Sequence, residues 1–273
     1  MLRINWFCMW FRLLFLLVTL SPSYADKIPV TIYVEASYKP FSFQENGEIK
    51  GLYNEILNIA FSRMPNYQIT LRAVPWQRGK SIMEKGQGFA LSPPYYHGHD
   101  WGFLYPYSLP YFEETIVVKC QKSVVKDGSM RWPKDFLDLH IGNINGYDGW
   151  GGSGYQKLKS NKDFTYTEVN STHQLIHMLL VGRLDCILIE ELAFNIEVNR
   201  VSKTYEIQKN DVLSATIVSK DHVFLGYSNV AVKRKTYPFF EDFKRKFDNH
   251  IYKMKQAGEI KDLVNKYSEM KSE

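Results

Sequence analysis

The chain has 273 residues, with 34 basic against 29 acidic side chains and 15% aromatic residues. That mild positive balance demands no nucleic-acid partner, and the length allows one large domain or two of about 100–150 residues. No CxxC motif and no His/Cys cluster suggests a metal, and no cofactor is expected.

Residues 1–25 read as a secretory signal. Arg3 and Arg12 flank a first apolar stretch, Leu13 to Leu20 is apolar apart from Thr19, and Ser23-Tyr24-Ala25 offers small residues before a cleavage ahead of Asp26. The apolar run is short for a bilayer span of about 20 residues, and Cys8 lacks the surroundings of a lipid-attachment cysteine. Removing Arg3 and Arg12 leaves 32 basic against 29 acidic side chains, a net of +3 over 248 residues. Of the two remaining cysteines, Cys120 and Cys186, both fall at strand-like positions. They can pair outside the cytoplasm or stay as buried thiols.

Ile28 to Val34 alternates and is β-rich, predicting a strand. It runs into Tyr38-Lys39-Pro40-Phe41-Ser42-Phe43, a loop stiffened by Pro40, with Gly47 and Gly51 behind it. Phe41 and Phe43 read as core, whereas Tyr38 at the strand end is expected to show an exposed stacking face. Leu52, Ile56, Leu57, Ile59, Ala60 and Met64 recur at helical spacing. Tyr67 to Val74 is a second strand and Pro75-Trp76 starts a helix. Phe89-Ala90-Leu91 is a third strand ahead of an irregular loop, Ser92 to Trp101. These alternations predict a βαβαβ unit with a parallel sheet.

Glu113 to Lys119 reads as a connection into another lobe. The strands Leu139–Ile144, Phe164–Val169 and Leu184–Ile189 alternate with helices at Tyr155–Leu158, Ser171–Leu180 and Glu190–Val198, with a glycine-rich turn from Gly146 to Gly154. Residues 201–221 lack a helical period. Val223 to Lys233 reads as a long returning strand. An amphipathic helix over Tyr237–Met254 and a short one over Ile260–Tyr267 finish the chain.

In this order, Tyr38-x-Pro-Phe41 with Gly51-Leu52, Phe103-Leu-Tyr-Pro-Tyr107, Ile141-Gly-Asn-Ile-Asn-Gly146, Val181-Gly-Arg-Leu-Asp185-Cys-Ile-Leu-Ile-Glu190 and the ending with Ala257-Gly258 resemble the amino-acid-type periplasmic solute-binding proteins of ABC importers (extracellular solute-binding family 3). The resemblance covers nearly all of the mature chain. It implies an α/β, two-lobed, type II-like periplasmic-binding-protein fold whose lobes are joined by two crossing strands. Residues 26–118 and 222–273 would form lobe 1 and residues 119–221 lobe 2. It further implies a monomer in the periplasm that closes on a small polar solute and meets an inner-membrane ABC permease, or alternatively a membrane sensor.

Carried over residue by residue, the resemblance assigns Tyr38 and Trp76 to stack on the ligand and Glu35 to face a polar group. Ser92 and Tyr95 fall in the binding loop, Tyr147 and Asp148 at the lobe-two turn, and Glu190 in place of the carboxylate that holds an α-ammonium. Glu190 can equally cap the helix that follows it. One departure stands out. The arginine that grips the ligand carboxylate has no counterpart between Tyr95 and Trp101, where His97 and His99 stand instead. That points to a ligand with a positive group rather than one held through its carboxylate. A dehydratase-like enzyme on the same fold, recruiting Glu35, Glu190, His97 and His99, is the other class to weigh, although no nucleophile motif supports it.

Overall fold

A computed structural model describes residues 26–125, 130–160, 165–206 and 212–269. Residues 1–25, expected to be a secretory signal, lie outside the described residues. In chain order the first part contains β1 (Ile28–Glu35), a small antiparallel sheet of β2 (Ser37–Tyr38), β3 (Ser42–Glu45) and β4 (Glu48–Lys50), helix α1 (Leu52–Ser62), β5 (Tyr67–Val74), α2 (Trp76–Glu84), β6 (Ala90–Ser92) and β7 (Leu104–Tyr107). Next come β8 (Phe112–Gln121), β9 (Ile141–Ile144), α3 (Gly152–Ser160), β10 (Tyr166–Val169), α4 (Thr172–Leu180), β11 (Cys186–Glu190), α5 (Glu191–Tyr205) and β12 (Val212–Val223). The chain ends with β13 (Gly226–Ser228), α6 (Asn229–Lys233), α7 (Phe240–Gln256) and α8 (Glu259–Glu269).

Two five-stranded sheets result, ordered β5-β1-β6-β13-β7 and β10-β9-β11-β8-β12. In each, three parallel strands joined by helices are followed by antiparallel neighbours. Parallel strands need crossover helices, and the 3.6-residue spacing of Leu52, Ile56, Leu57 and Ala60 supplies one, burying all four. Gly51 lets that helix begin against the aromatic loop. Its φ is +113°, and a Cβ there would stand 2.4 Å from the Phe41 carbonyl oxygen, so only glycine fits. Leu52 N–H and Tyr53 N–H then donate to the carbonyls of Pro40 and Phe41, at 3.1 and 2.8 Å. Phe41 is fully buried, but Phe43 is only half-buried, with the Lys39 ammonium 4.9 Å over its ring.

The return strand differs from the expectation. The crossing segment is β12, which pairs with β8 from Val212–Gln121 to Val223–Phe112. Two register shifts, at Ser214/Thr216 and Ile217/Ser219, break the period-two pattern and hide this strand in the sequence. The stretch from Val223 to Lys233 is not one strand. Gly226 sits against Leu104 in the short β13, and Ser228 caps α6 by accepting from the Ala231 N–H at 3.4 Å. Beyond the ribbon, Tyr111 N–H donates to Val223 O, and Ser108 N–H to Leu225 O, both at 2.9 Å.

Cys120 and Cys186 face each other across β8 and β11 and form a disulfide, which settles the alternative left open by the sequence. Among the described residues, no helix is long and apolar enough to cross a membrane.

Candidate functional site

In an open α/β sheet the space beyond the carboxyl ends of the parallel strands collects the functional side chains. Glu35 ends β1, Trp76 follows β5, Ser92 ends β6, Tyr147 follows β9 and Glu190 ends β11. Between the two sheets lies a cavity of about 40 Å³. Tyr38, Trp76, Pro93, Tyr95, His97 and Trp101 line it from the side of the first sheet, Gly146, Tyr147 and Trp150 from the second, and Glu114 from the crossing strand β8.

Glu114 is the centre of this arrangement, and the sequence reading did not single it out. The residue is fully buried, and its carboxylate accepts O–H bonds from Tyr38 at 2.9 Å, from Tyr53 and from Tyr95. Tyr95 in turn accepts the Trp150 indole N–H at 2.8 Å. Burial pushes the Glu114 carboxyl up to about 7, against the pull of the three phenol hydrogen bonds, and Asp221 adds to the rise. The same burial, with the Glu114 charge nearby, drives the phenols of Tyr38, Tyr53 and Tyr95 well above their ordinary range, so they remain donors. A signal was present. Glu114 shares strand parity with Ile116, Val118 and Cys120, all buried, so an acid stands on an apolar face.

Tyr38 lines the cavity, but not as an exposed platform. It is buried at 2% exposure because its hydroxyl reaches Glu114, and its ring is hemmed in by Tyr147 at 5.5 Å and Trp150 at 5.6 Å. Trp76 and Tyr147 also face the cavity, with ring centroids 6.3 Å apart. Tyr147 and Trp150 stand at 85° to each other, 4.9 Å apart, on a turn held by Asn143 Nδ2–H donating to the Tyr147 carbonyl at 3.2 Å. Gly146 opens that turn with φ +81°, and a Cβ there would stand 2.3 Å from the Gln77 amide of α2, so glycine lets the two sides meet. Asp148 begins the turn after Tyr147; its side chain lies outside the described residues.

The other expected residues stand behind the cavity wall. Ser92 is buried with its Oγ 2.8 Å from the Tyr111 hydroxyl. Glu35 accepts at Oε1 from the Ser37 N–H at 2.9 Å and Oγ–H at 2.8 Å, while its Oε2 is buried without a hydrogen-bond partner. Burial raises its carboxyl to about 7. The Glu190 Oε2 accepts the Ala193 N–H at 2.7 Å and so caps α5, and burial beside Glu114 raises that carboxyl to about 8. Glu35, Ser92 and Glu190 therefore do not line the cavity. His97, which stands in the stretch without the family's arginine, lines it instead. Its ring stacks on Trp101 at 3.7 Å and 7°, Asp100 lies 3.0 Å from its Nδ1, and burial holds its pKa down. His99 is exposed. Among the described residues no group of His, Cys, Asp and Glu could hold a metal ion.

Fold and site together define a two-lobed α/β ligand-binding protein with a ring-lined cleft between its sheets. Residues 30–270 match the bacterial extracellular solute-binding proteins, family 3, and the chain belongs to that family. Solved structures agree on the fold. An amino acid ABC transporter substrate-binding protein from Streptococcus pneumoniae, bound to L-arginine, is 15% identical with a TM-score of 0.67, over 90% of this chain and 96% of its own. The arginine-, lysine-, histidine-binding protein ArtJ from Geobacillus stearothermophilus is 15% identical with a TM-score of 0.65, over 89% and 95%. A histidine kinase sensor domain with similarity to periplasmic binding proteins is 11% identical with a TM-score of 0.68, over 88% and 96%. No curated protein matches the chain.

Proposed function

We propose that this solute-binding protein works in the periplasm as a monomer, closing on a small polar solute, an amino acid or related amine that carries a positive charge, and handing it to an inner-membrane ABC permease. Lobe 1 would comprise residues 26–118 and 222–273, and lobe 2 residues 119–221. The observation that carries the reading is the cavity's makeup. Its walls come from both sheets, a buried carboxylate stands among them, and among the described residues none that lines it is a lysine or arginine. A buried acid without a countercharge is costly, and a ligand cation relieves that cost. Closure then follows from contacts that only the closed form makes, with the pivot at Tyr111–Phe112 and Val223–Leu225, where the ribbon enters the first sheet. The sensor-domain neighbour favours a second reading, a binding protein that reports to a membrane receptor.

A thermal-shift screen of amino acids, polyamines, guanidines and small peptides tests the reading. A ligand at 100 times its Kd stabilises the native state by about 2.7 kcal/mol, a shift readily seen. Glu114→Gln is expected to abolish the shift of any cationic hit. Conversion of the hit into a new compound, or a screen without any hit, would count against it.

A further inference from the structure

The cleft is not equally suited to every cation. A primary ammonium brings three N–H donors and a guanidinium five, and each needs an acceptor once water is removed. A carboxylate offers about four lone-pair sites. At Glu114 three of them already take the hydroxyls of Tyr38, Tyr53 and Tyr95, and the Tyr95 oxygen already takes the Trp150 indole N–H. Glu114 supplies the acid, but its hydrogen-bonding capacity is nearly used up by the protein itself.

The walls are arranged for a different partner. Tyr38 and Tyr147 meet edge to face at 88°, as do Tyr147 and Trp150 at 85° and Trp76 and Tyr147 at 71°, and all four rings line the cavity. Two acids stand behind these rings: Glu35 and Glu114 both act on the Tyr147 hydroxyl and raise its pKa, after burial itself. A quaternary ammonium spreads its charge over methyl groups, has no N–H that needs an acceptor, and is attracted to the ring faces. The cavity of about 40 Å³ also favours a compact head group over a long side chain.

We propose that the cleft selects a compact quaternary ammonium, of the size range of tetramethylammonium to choline, over primary ammonium and guanidinium ligands, with Trp76, Tyr38, Tyr147 and Trp150 as the cage and Glu114 as the countercharge. This deepens the reading above and rests on it.

Three tryptophans, Trp76, Trp101 and Trp150, line the cavity, so intrinsic fluorescence reports binding directly. Choline chloride and tetramethylammonium chloride are expected to bind at least tenfold more tightly than methylammonium, guanidinium or L-arginine. The neutral choline isostere 3,3-dimethyl-1-butanol should bind at least tenfold more weakly than choline. Glu114→Gln should weaken choline binding at least tenfold, and Trp76→Leu, which leaves the buried carboxylate alone, should do the same if the first variant proves unstable. Phosphatidylcholine vesicles, which carry the same head group tethered to a surface, are expected not to bind, because both lobes must enclose the ligand. Tighter binding of L-arginine or methylammonium, or vesicle binding in preference to free choline, overturns this inference and leaves the solute-binding reading standing. Silence from all these probes beside a hit in the wider screen does the same. Silence in both sinks the two together.

Discussion

The two sheets follow one plan and are held together by different means. The first is clamped by rings. Phe89 lies 5.0 Å from Phe243 of α7, Tyr67 lies 5.1 Å from the same ring, and Phe61 packs on Phe247 at 5.5 Å. Its stability therefore depends on a helix at the far end of the chain. The second has an aliphatic core, with Ile116, Val118, Ile141, Leu175 and Ile187 fully buried, and a disulfide ties its crossing strand β8 to β11. The difference teaches which side the ribbon belongs to. Because β8 is covalently fastened to β11, the pair of β8 and β12, and Glu114 with it, belongs to the second sheet. The tyrosines that hold Glu114 come from the first.

The strongest way to break this contrast is Phe243→Ala, which removes the ring shared by Phe89, Tyr67 and Tyr227. Truncating a fully buried phenylalanine costs about 3–5 kcal/mol through lost transfer energy and the cavity left behind. Urea unfolding should show that loss, and hydrogen exchange should place it first in β5, β6 and α7. A loss of protection spread evenly over both sheets would mean that they are one cooperative unit.

Removing the disulfide probes the other sheet. Cys120 and Cys186 are separated by 66 residues, and chain-entropy arguments give about 4 kcal/mol for a loop of that length. The pair of changes Cys120→Ala and Cys186→Ala is expected to lower stability by about 2–4 kcal/mol in urea titration, with the lost protection confined to β8, β9 and β11. An unchanged unfolding midpoint would show that pairing with β12 alone holds the ribbon.

Much of this molecule was legible in the chain. Helices such as α1 and α7 bury one face at regular spacing, and Ser171 caps α4 by accepting the Gln174 N–H at 3.2 Å, as its type and position suggest. Family motifs placed the strand ends that surround the cleft. What escaped depended on contacts distant in sequence. Tyr38 looked like an exposed ring because nothing near it announces Glu114, which lies 76 positions along the chain. Glu114 was passed over because its neighbours read as an ordinary β-branched connection. β12 was missed because two bulges disrupt its alternation and half its residues are polar. Glu190 could act as ligand contact or cap on sequence grounds, and the geometry shows the cap.

The comparison of the sheets extends to the acids at their strand ends. Glu35 and Glu190 both end a central parallel strand, are nearly inaccessible and have raised carboxyl pKa values, yet only Glu190 makes a capping bond to a helix start, the Ala193 N–H of α5, whereas the Trp76 N–H at the start of α2 only eases the rise at Glu35. Glu35 has the two Ser37 donors on one oxygen and no partner on the other. Its carboxyl rises from 4.5 to about 7 on folding, chiefly through burial, so the folded protein binds this proton more tightly than the unfolded chain does. The resulting stabilisation is fully present below about 4.5 and is lost as pH rises through about 7. At 1.36 kcal/mol for each pH unit, that is on the order of 3 kcal/mol for this one group. Native stability is therefore expected to fall between pH 5 and pH 8, measured by urea titration at fixed ionic strength. Glu35→Gln keeps the neutral shape and carries no titrating proton, so its slope over that range should be shallower, with the remainder due to Glu114 and Glu190, whose carboxyls are raised as well. A Glu35→Gln protein with the parent's full slope would mean that Glu35 is already ionised in the folded state, and that its buried oxygen faces a cation.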